Sequence, residues 1–336
     1  MTHETKSAPH PAPGAPHPAP GAPHVVLGAG QVGTKLAELL LAAGYPVRLV
    51  RRGPAGPARP GLEWLSGDLR EPAFADRACA GAATVYNCVN PADYGRWEGV
   101  MEPLHEAVQD AAVRAGVPLV GLDCLYMVGV PETSPFDETV PMRPIREKGE
   151  MRARLVRRAL RLRDAGELRV TFGRAADFFG PDTPQSLFGD RLTSRLRAGK
   201  GAEVLGDPDL PRSYSFTPDV ARGLMLLGTD PRGFDHPVWH LPVVRTETTR
   251  ELVAAFAAEL GAEPEVTILP QWLLRLAGLF SPTIRQVRLM SYQWAVPYAL
   301  DDSLFRETFG VEATPVAAAV RATLGAPAPA LLPAVA

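Results

Sequence analysis

Ten residues near the start, His24-Val25-Val26-Leu27-Gly28-Ala29-Gly30-Gln31-Val32-Gly33, constrain the fold more than any other stretch of the chain. Apolar residues run into three glycines spaced G-x-G-x-x-G, and Leu36, Ala37, Leu39, Leu40, Leu41 and Ala43 follow as an apolar-periodic run. The pattern predicts a strand, a tight turn and a helix. Such a turn suits a dinucleotide pyrophosphate, which needs backbone donors at a helix N-terminus and no side chain in its way. Gly28 is expected to make the turn, Gly30 to allow close approach and Gly33 to let the helix pack on the strand, with Gln31 and Val32 completing the phosphate-facing backbone. After Gly44-Tyr45-Pro46, a second short strand ends at Arg51 and Arg52. A carboxylate there would accept from the ribose hydroxyls of NAD, whereas an arginine pairs with the 2′-phosphate of NADP. The two arginines therefore favour NADP, with NAD as the alternative; the bland reading is a solvated basic strand end.

Beyond a Pro/Gly loop, Leu62–Leu65 reads as a third strand leading to Gly67-Asp68-Leu69. Asp68 is placed either to accept from the adenine amine, with Leu69 against the ring, or to cap the helix starting near Pro72. Thr84–Val89 is a fourth strand, and its Asn87 is counted with the cofactor-binding residues. The polar and aromatic loop Asn90–Trp97 is expected over the nicotinamide half. A helix from about Gly99 to Ala115 precedes a fifth strand at Pro118–Asp123, and a sixth follows at Leu168–Gly173. Between them, Met151, Leu155, Ala159 and Leu162 mark the buried stripe of a helix from about Arg146 to Arg163, with Lys148 at its N-terminal end and most of its arginines solvated. Alternating strands and helices imply right-handed crossovers and a parallel sheet. Farther on, Val238–Leu241 reads as another strand, and Trp272, Leu273, Leu274, Leu276 and Leu279 as a helix facing the core or another subunit; a membrane-facing helix is set aside because the run is too short to span and is interrupted by Arg275.

The 336 residues suffice for one large core or two modest ones, and a net charge of −2 argues against nucleic acid or an anionic membrane as partner. Cys79, Cys88 and Cys124 are odd in number and lack metal spacing, so a reducing cytoplasm is the expected setting and no metal site is expected. No apolar run is long enough for a membrane span, and no signal-peptide core stands at the N-terminus. The repeated Ala-Pro-His-Pro-Ala-Pro-Gly units predict a disordered tail over residues 1–23, whose His3, His10 and His17, with His24 just beyond, lack the support a metal site needs.

Together, Gly28–Gly33, Gly67-Asp68-Leu69, Asp123–Gly129, Arg174–Pro181 and Thr217–Ala221 make the chain resemble the extended short-chain dehydrogenase/reductase superfamily, in its NAD-dependent epimerase/dehydratase group. The resemblance implies an α/β fold: a Rossmann-type doubly wound parallel sheet over 24–180, completed by about 216–245. A smaller substrate-binding lobe is expected from 181–215 and 246–336. It further implies a serine or threonine after the fifth strand and a Tyr-x-x-x-Lys pair on the next helix. Here Cys124 stands at the hydroxyl position and Pro144 lies four residues before Lys148. Lys148 is left to hold the nicotinamide ribose, and Cys124 is most simply a small buried residue. Tyr126, two residues on from Cys124 along an extended chain, is the candidate proton donor; Tyr94 is its rival, and a merely packed tyrosine is the alternative for both. The expected function is an NAD(P)-dependent oxidoreductase or epimerase-like enzyme acting on a hydroxyl or carbonyl of a small organic, sugar-like substrate. A non-catalytic NAD(P)-binding redox sensor is the competing class, and the oligomeric state, a homodimer included, is left open.

Overall fold

Strands buried on both faces belong in the middle of a parallel sheet, and three apolar runs of this chain occupy that place. The computed structural model describes residues 21–183 and 186–326. Its first half alternates β1 (His24–Leu27), α1 (Gly33–Ala42), β2 (Val47–Arg51), β3 (Leu62–Ser66), α2 (Pro72–Cys79), β4 (Thr84–Asn87), α3 (Met101–Ala115), β5 (Leu119–Asp123), α4 (Glu147–Asp164) and β6 (Val170–Arg174). Then come β7 (Asp177–Phe179), α5 (Asp190–Arg197), β8 (Ala202–Val204), β9 (Tyr214–Phe216), α6 (Thr217–Thr229) and β10 (Val238–His240). The chain continues through α7 (Thr249–Leu260), β11 (Val266–Ile268), α8 (Gln271–Phe280), α9 (Pro282–Met290), α10 (Ser303–Phe309) and α11 (Val316–Thr323).

Seven strands form one sheet in the order β10-β6-β5-β4-β1-β2-β3, with every pairing parallel. The parallel sheet that the strand and helix spacing predicts is present, in the doubly wound Rossmann-type order that the family resemblance implies. β1, β4 and β6 are buried throughout, whereas edge strand β3 is only half covered. One core lies under α2, α3 and α4, with Phe74, Val108 and Val156 against the sheet. The opposite core gathers α1, α6 and α10 around Leu36, Leu224 and Phe305. Strand order reverses at β1, which has β2 on one side and β4 on the other. The loops leaving β1 and β4 therefore diverge, opening the crevice in which such sheets bind ligands.

A third cluster, outside the sheet, joins Phe179, Phe188, Tyr214, Phe216 and Phe256 from β7, β9, α7 and the loop before α5. Two expectations change here. Of the expected lobe segment 246–336, the described residues 246–326 do not stay together, because α10 returns to the sheet and sets Phe305 against Trp239, ring centroids 6.0 Å apart. And α8 turns Leu274 and Gly278 inward while Trp272, Leu273, Leu276 and Leu279 stay exposed, so of the two readings, core or subunit contact, the core one falls. The close approach of α9 decides this: a Cβ on Gly278 would lie 3.2 Å from the Arg285 Cα.

Most of the repeated N-terminal segment, His3, His10 and His17 included, falls outside the described residues. His24 belongs to β1; burial lowers its imidazole to about 4, and its Nδ1 pairs with the Tyr86 hydroxyl at 3.0 Å. Among the described residues no helix is long and apolar enough to cross a membrane, and no group of three or more His, Cys, Asp or Glu is set to hold a metal.

Candidate active site

A cleft of about 1690 Å³ runs along the C-terminal edge of the sheet, from the β1 turn to α9. At its first end Gly28 has φ +100°, a backbone conformation that favours glycine, and its amide donates to Val50 O at 2.9 Å. A Cβ on Gly33 would lie 1.9 Å from the Gly28 carbonyl oxygen, so glycine is what lets α1 sit this close to the turn. At Gly30 a Cβ would meet nothing within 4 Å, because that position faces the open cleft. Val32, the residue before α1, offers no side-chain cap; the Thr34 amide donates to Gly30 O at 3.1 Å, and the other first-turn amides are left for solvent or a ligand. Gly28, Gly30, Gln31 and Val32 all line the cleft, while Gly33 packs behind it.

Arg51 and Arg52 at the end of β2 also line the cleft and are exposed. Arg70, which sequence reasoning missed, joins them. Its guanidinium holds the Asp68 carboxylate at 2.5 Å, and its amide donates to the same group at 2.9 Å. Those hydrogen bonds hold the Asp68 carboxyl below the usual carboxylate range. Asp68 does not cap α2: the N-cap residue is Glu71, and Asp68 spends its side chain on Arg70 two residues on. Leu69 lines the cleft from the edge of the core.

At the other end, Cys124, Tyr126 and Tyr94 face the cleft together. Strand β5 ends at Asp123, and Val128 N donates to Leu125 O at 3.0 Å. Tyr126 therefore reaches the cleft from a turn and not from the extended chain that the two-residue spacing assumed. Its hydroxyl accepts from the Tyr94 hydroxyl at 3.1 Å, joining the two rival donors. Both phenols are raised above the ordinary tyrosine range by burial. Burial also pushes the Cys124 thiol up to about 11, which keeps it protonated and unreactive at neutral pH.

Two expected cofactor contacts are engaged elsewhere. Lys148 is not on the cleft wall; its Nζ donates to the Tyr94 carbonyl at 2.7 Å and lies 3.8 Å from the Trp97 ring centroid and 4.4 Å from that of Tyr94. Burial lowers its ammonium to about 8. Asn87 is buried behind the cleft, with Nδ2 against His105 Nδ1 at 3.0 Å. Of the α4 arginines, the one facing the cleft is Arg152, one helical turn beyond Lys148 and buried, an exception to the mostly solvated arginines of that helix. It donates to Asn90 Oδ1 at 2.9 Å and stands 3.8 Å from the Asp123 carboxylate, which Arg174 approaches at 3.5 Å from the other side. Its i+4 relation to Lys148 was the available signal. Across the cleft, Arg212 bonds Asp177, donates to the Gln293 carbonyl at 2.6 Å and stacks 4.0 Å from the Trp294 ring centroid. Those partners lie 35 to 82 positions away in the chain, and no local pattern marks them.

A glycine turn opening into a large cleft, at the switch point of a parallel sheet, defines a Rossmann protein built for a nucleotide-type ligand. The chain belongs to the NAD dependent epimerase/dehydratase family, whose model matches residues 24–239. No curated protein sequence matches it. Among solved structures, it is similar to a putative epimerase from Burkholderia cenocepacia at 20% identity, covering 93% of this chain and 99% of that one with a TM-score of 0.70. UDP-glucose 4-epimerase from Thermus thermophilus, solved with NAD, is 19% identical over 90% and 99% of the two chains, with a TM-score of 0.69. The Bordetella bronchiseptica enzyme WbmH, solved with NAD+, is 21% identical over 90% and 97%, with a TM-score of 0.67. At these identities the likeness is one of fold.

Proposed function

We propose that this chain is an NADP-dependent oxidoreductase that reduces the carbonyl, or oxidises the hydroxyl, of a small organic substrate, with Tyr126 as proton donor. The observation that carries the reading is the pairing of the open Gly30 turn at one end of a single cleft with the hydrogen-bonded Tyr94 and Tyr126 phenols toward the other. The family and the NAD in the solved relatives support a nicotinamide cofactor. The sugar nucleotide in one relative's name supports a sugar-like substrate. Arg51, Arg52 and Arg70 carry the choice of NADP, since three guanidiniums line that corner and only Arg70 of them is paired with Asp68 there.

The residues fit the cofactor: a Cβ-free position faces the cleft at Gly30, and uncapped amides open α1 beside it. When bound, a nicotinamide supplies or accepts hydride at its C4. The protein's part is then a proton. Burial keeps Tyr126 protonated but also opposes release of its proton, so donation to the substrate oxygen depends on a neighbour that stabilises the phenolate. Tyr94, donating to Tyr126, stabilises the phenolate left behind. Lys148 acts through Tyr94, its ammonium over that ring and on that backbone carbonyl, so it positions the relay without touching the substrate.

Fluorescence titration tests the cofactor half. NADPH is expected to bind more tightly than NADH, and Arg51→Glu or Arg52→Glu to erode the preference by roughly tenfold or more, the size of one charge-assisted contact. Equal affinities in the unaltered protein would sink the assignment. Tight binding with no turnover of any carbonyl or hydroxyl substrate would move the chain to the redox-sensing class.

A further inference from the structure

The exposed face of α8 is the largest feature that the cleft chemistry leaves unused. Trp272, Leu273, Leu276, Leu279 and Phe280 are all exposed, at 65% for Trp272, 76% for Leu279 and 84% for Phe280. At 100° per residue these five side chains fall on one continuous arc, opposite Leu274 and Gly278, which face the protein. The helix is thus amphipathic with its apolar stripe pointing outward. Single exposed hydrophobics need no explanation, whereas an aligned set of five marks an interaction surface.

Charge identifies the partner. Residues 266–300 contain Arg275, Arg285 and Arg288 and no Asp, Glu, Lys or His, so this segment carries +3 within a chain of net −2. Arg275 flanks the apolar arc on α8, and Arg285 is exposed on α9, which packs along it. Asp93 lies on the loop that meets Pro282, but it is paired with Arg96 at 3.5 Å. A second copy meeting this face about a two-fold axis would bring like arginines together with no acid of the segment between them. Anionic lipid headgroups supply the missing charge, and Trp, Leu and Phe beside arginine are the side chains of helices that lie in a bilayer interface. The ten residues of α8, about 15 Å, suffice to lie in that plane and are too few to span it.

We propose that α8 docks this protein on the surface of an anionic lipid bilayer, with Trp272, Leu276, Leu279 and Phe280 entering the interface and Arg275 and Arg285 meeting the headgroups. Thr283, Val287 and Met290 on the adjoining α9 line the cleft, so docking sets that end of the cleft beside the lipid. The inference stands on the α8 face and does not depend on the oxidoreductase reading.

Co-sedimentation of the full chain with vesicles tests it. Vesicles of phosphatidylcholine and phosphatidylglycerol should carry the protein down, vesicles of phosphatidylcholine alone should do so far less, and added salt should release it. Phe280→Glu is expected to weaken binding by about tenfold to a hundredfold through loss of one buried aromatic. Arg275→Glu combined with Arg285→Glu keeps the apolar stripe and should weaken binding by about fivefold or more for each lost charge. All of these side chains are outside the cleft, so NADPH affinity in solution should be unchanged. Absence of binding to the anionic vesicles overturns the proposal, as does equal binding to both compositions. A dimer in sedimentation velocity that Leu279→Glu turns into a monomer, without vesicle binding, assigns the face to a second copy and also overturns it.

Discussion

Tyr126, Tyr94 and Lys148 form a chain of contacts in which each member fixes the next. Tyr126 accepts from Tyr94, and Lys148 holds the Tyr94 carbonyl while sitting over its ring. A positioned acid contributes about 10²–10⁴-fold, so Tyr126→Phe should lower turnover by that order with NADPH affinity nearly intact. Near-full turnover in that variant would exclude Tyr126, and loss in Tyr94→Phe alone would transfer the role to Tyr94. Lys148 provides a second test through pH. Its ammonium titrates at about 8 in the folded chain against 10.5 unperturbed, because burial disfavours the charge. Between those values the unfolded chain binds more protons, so the contribution of Lys148 to stability rises as pH rises from about 8 and is lost as pH falls through that value. Melting curves of the unaltered protein minus those of Lys148→Met should show that rise; a flat difference would mean that the lysine is not desolvated. Of these three residues only the types and the neighbourhood were legible in sequence. Spacing carried Tyr126 toward Cys124, but the contact with Tyr94 crosses 32 positions and the route is a turn. Arg152 was hidden in an arginine-rich helix whose periodicity marks a buried stripe without naming which arginine borders it.

At the scale of elements, the glycine turn separates binding from folding. Gly30→Ala adds a methyl facing open cleft, so stability should hold within about 1 kcal/mol while NADPH affinity falls. Gly33→Ala forces a Cβ to 1.9 Å from a backbone carbonyl, and the resulting overpacking should cost about 1–3 kcal/mol or more. Thermal melts and cofactor titrations on the two variants check both halves. If Gly30→Ala binds NADPH as the unaltered chain does, the turn is not the pyrophosphate site. The β1–α1 unit was readable because Gly28 and Gly33 answer local steric demands and Gly30 completes the spacing, and the central strands because burial on both faces leaves an apolar run between turn residues. The orientation of α8 was not readable. Its periodicity defines a stripe, but which side meets the protein was decided by Gly278 against Arg285, a contact between two helices.

Across the whole molecule, the cleft joins loops after β1, β4 and β5 to residues of α9 and to Arg212, so ligand binding should stabilise the fold as one unit. NADPH at roughly 100 times its Kd should add about 2.7 kcal/mol to unfolding free energy by mass action alone. That gain reports binding, and the central claim is chemistry. The most direct measurement is NADPH consumption, followed by its absorbance, when the purified protein is supplied with a panel of small carbonyl compounds including sugar-like ones. The account predicts consumption that requires both protein and carbonyl and that falls by about 10²–10⁴-fold in Tyr126→Phe. NADPH bound tightly by both forms and consumed by neither would contradict it.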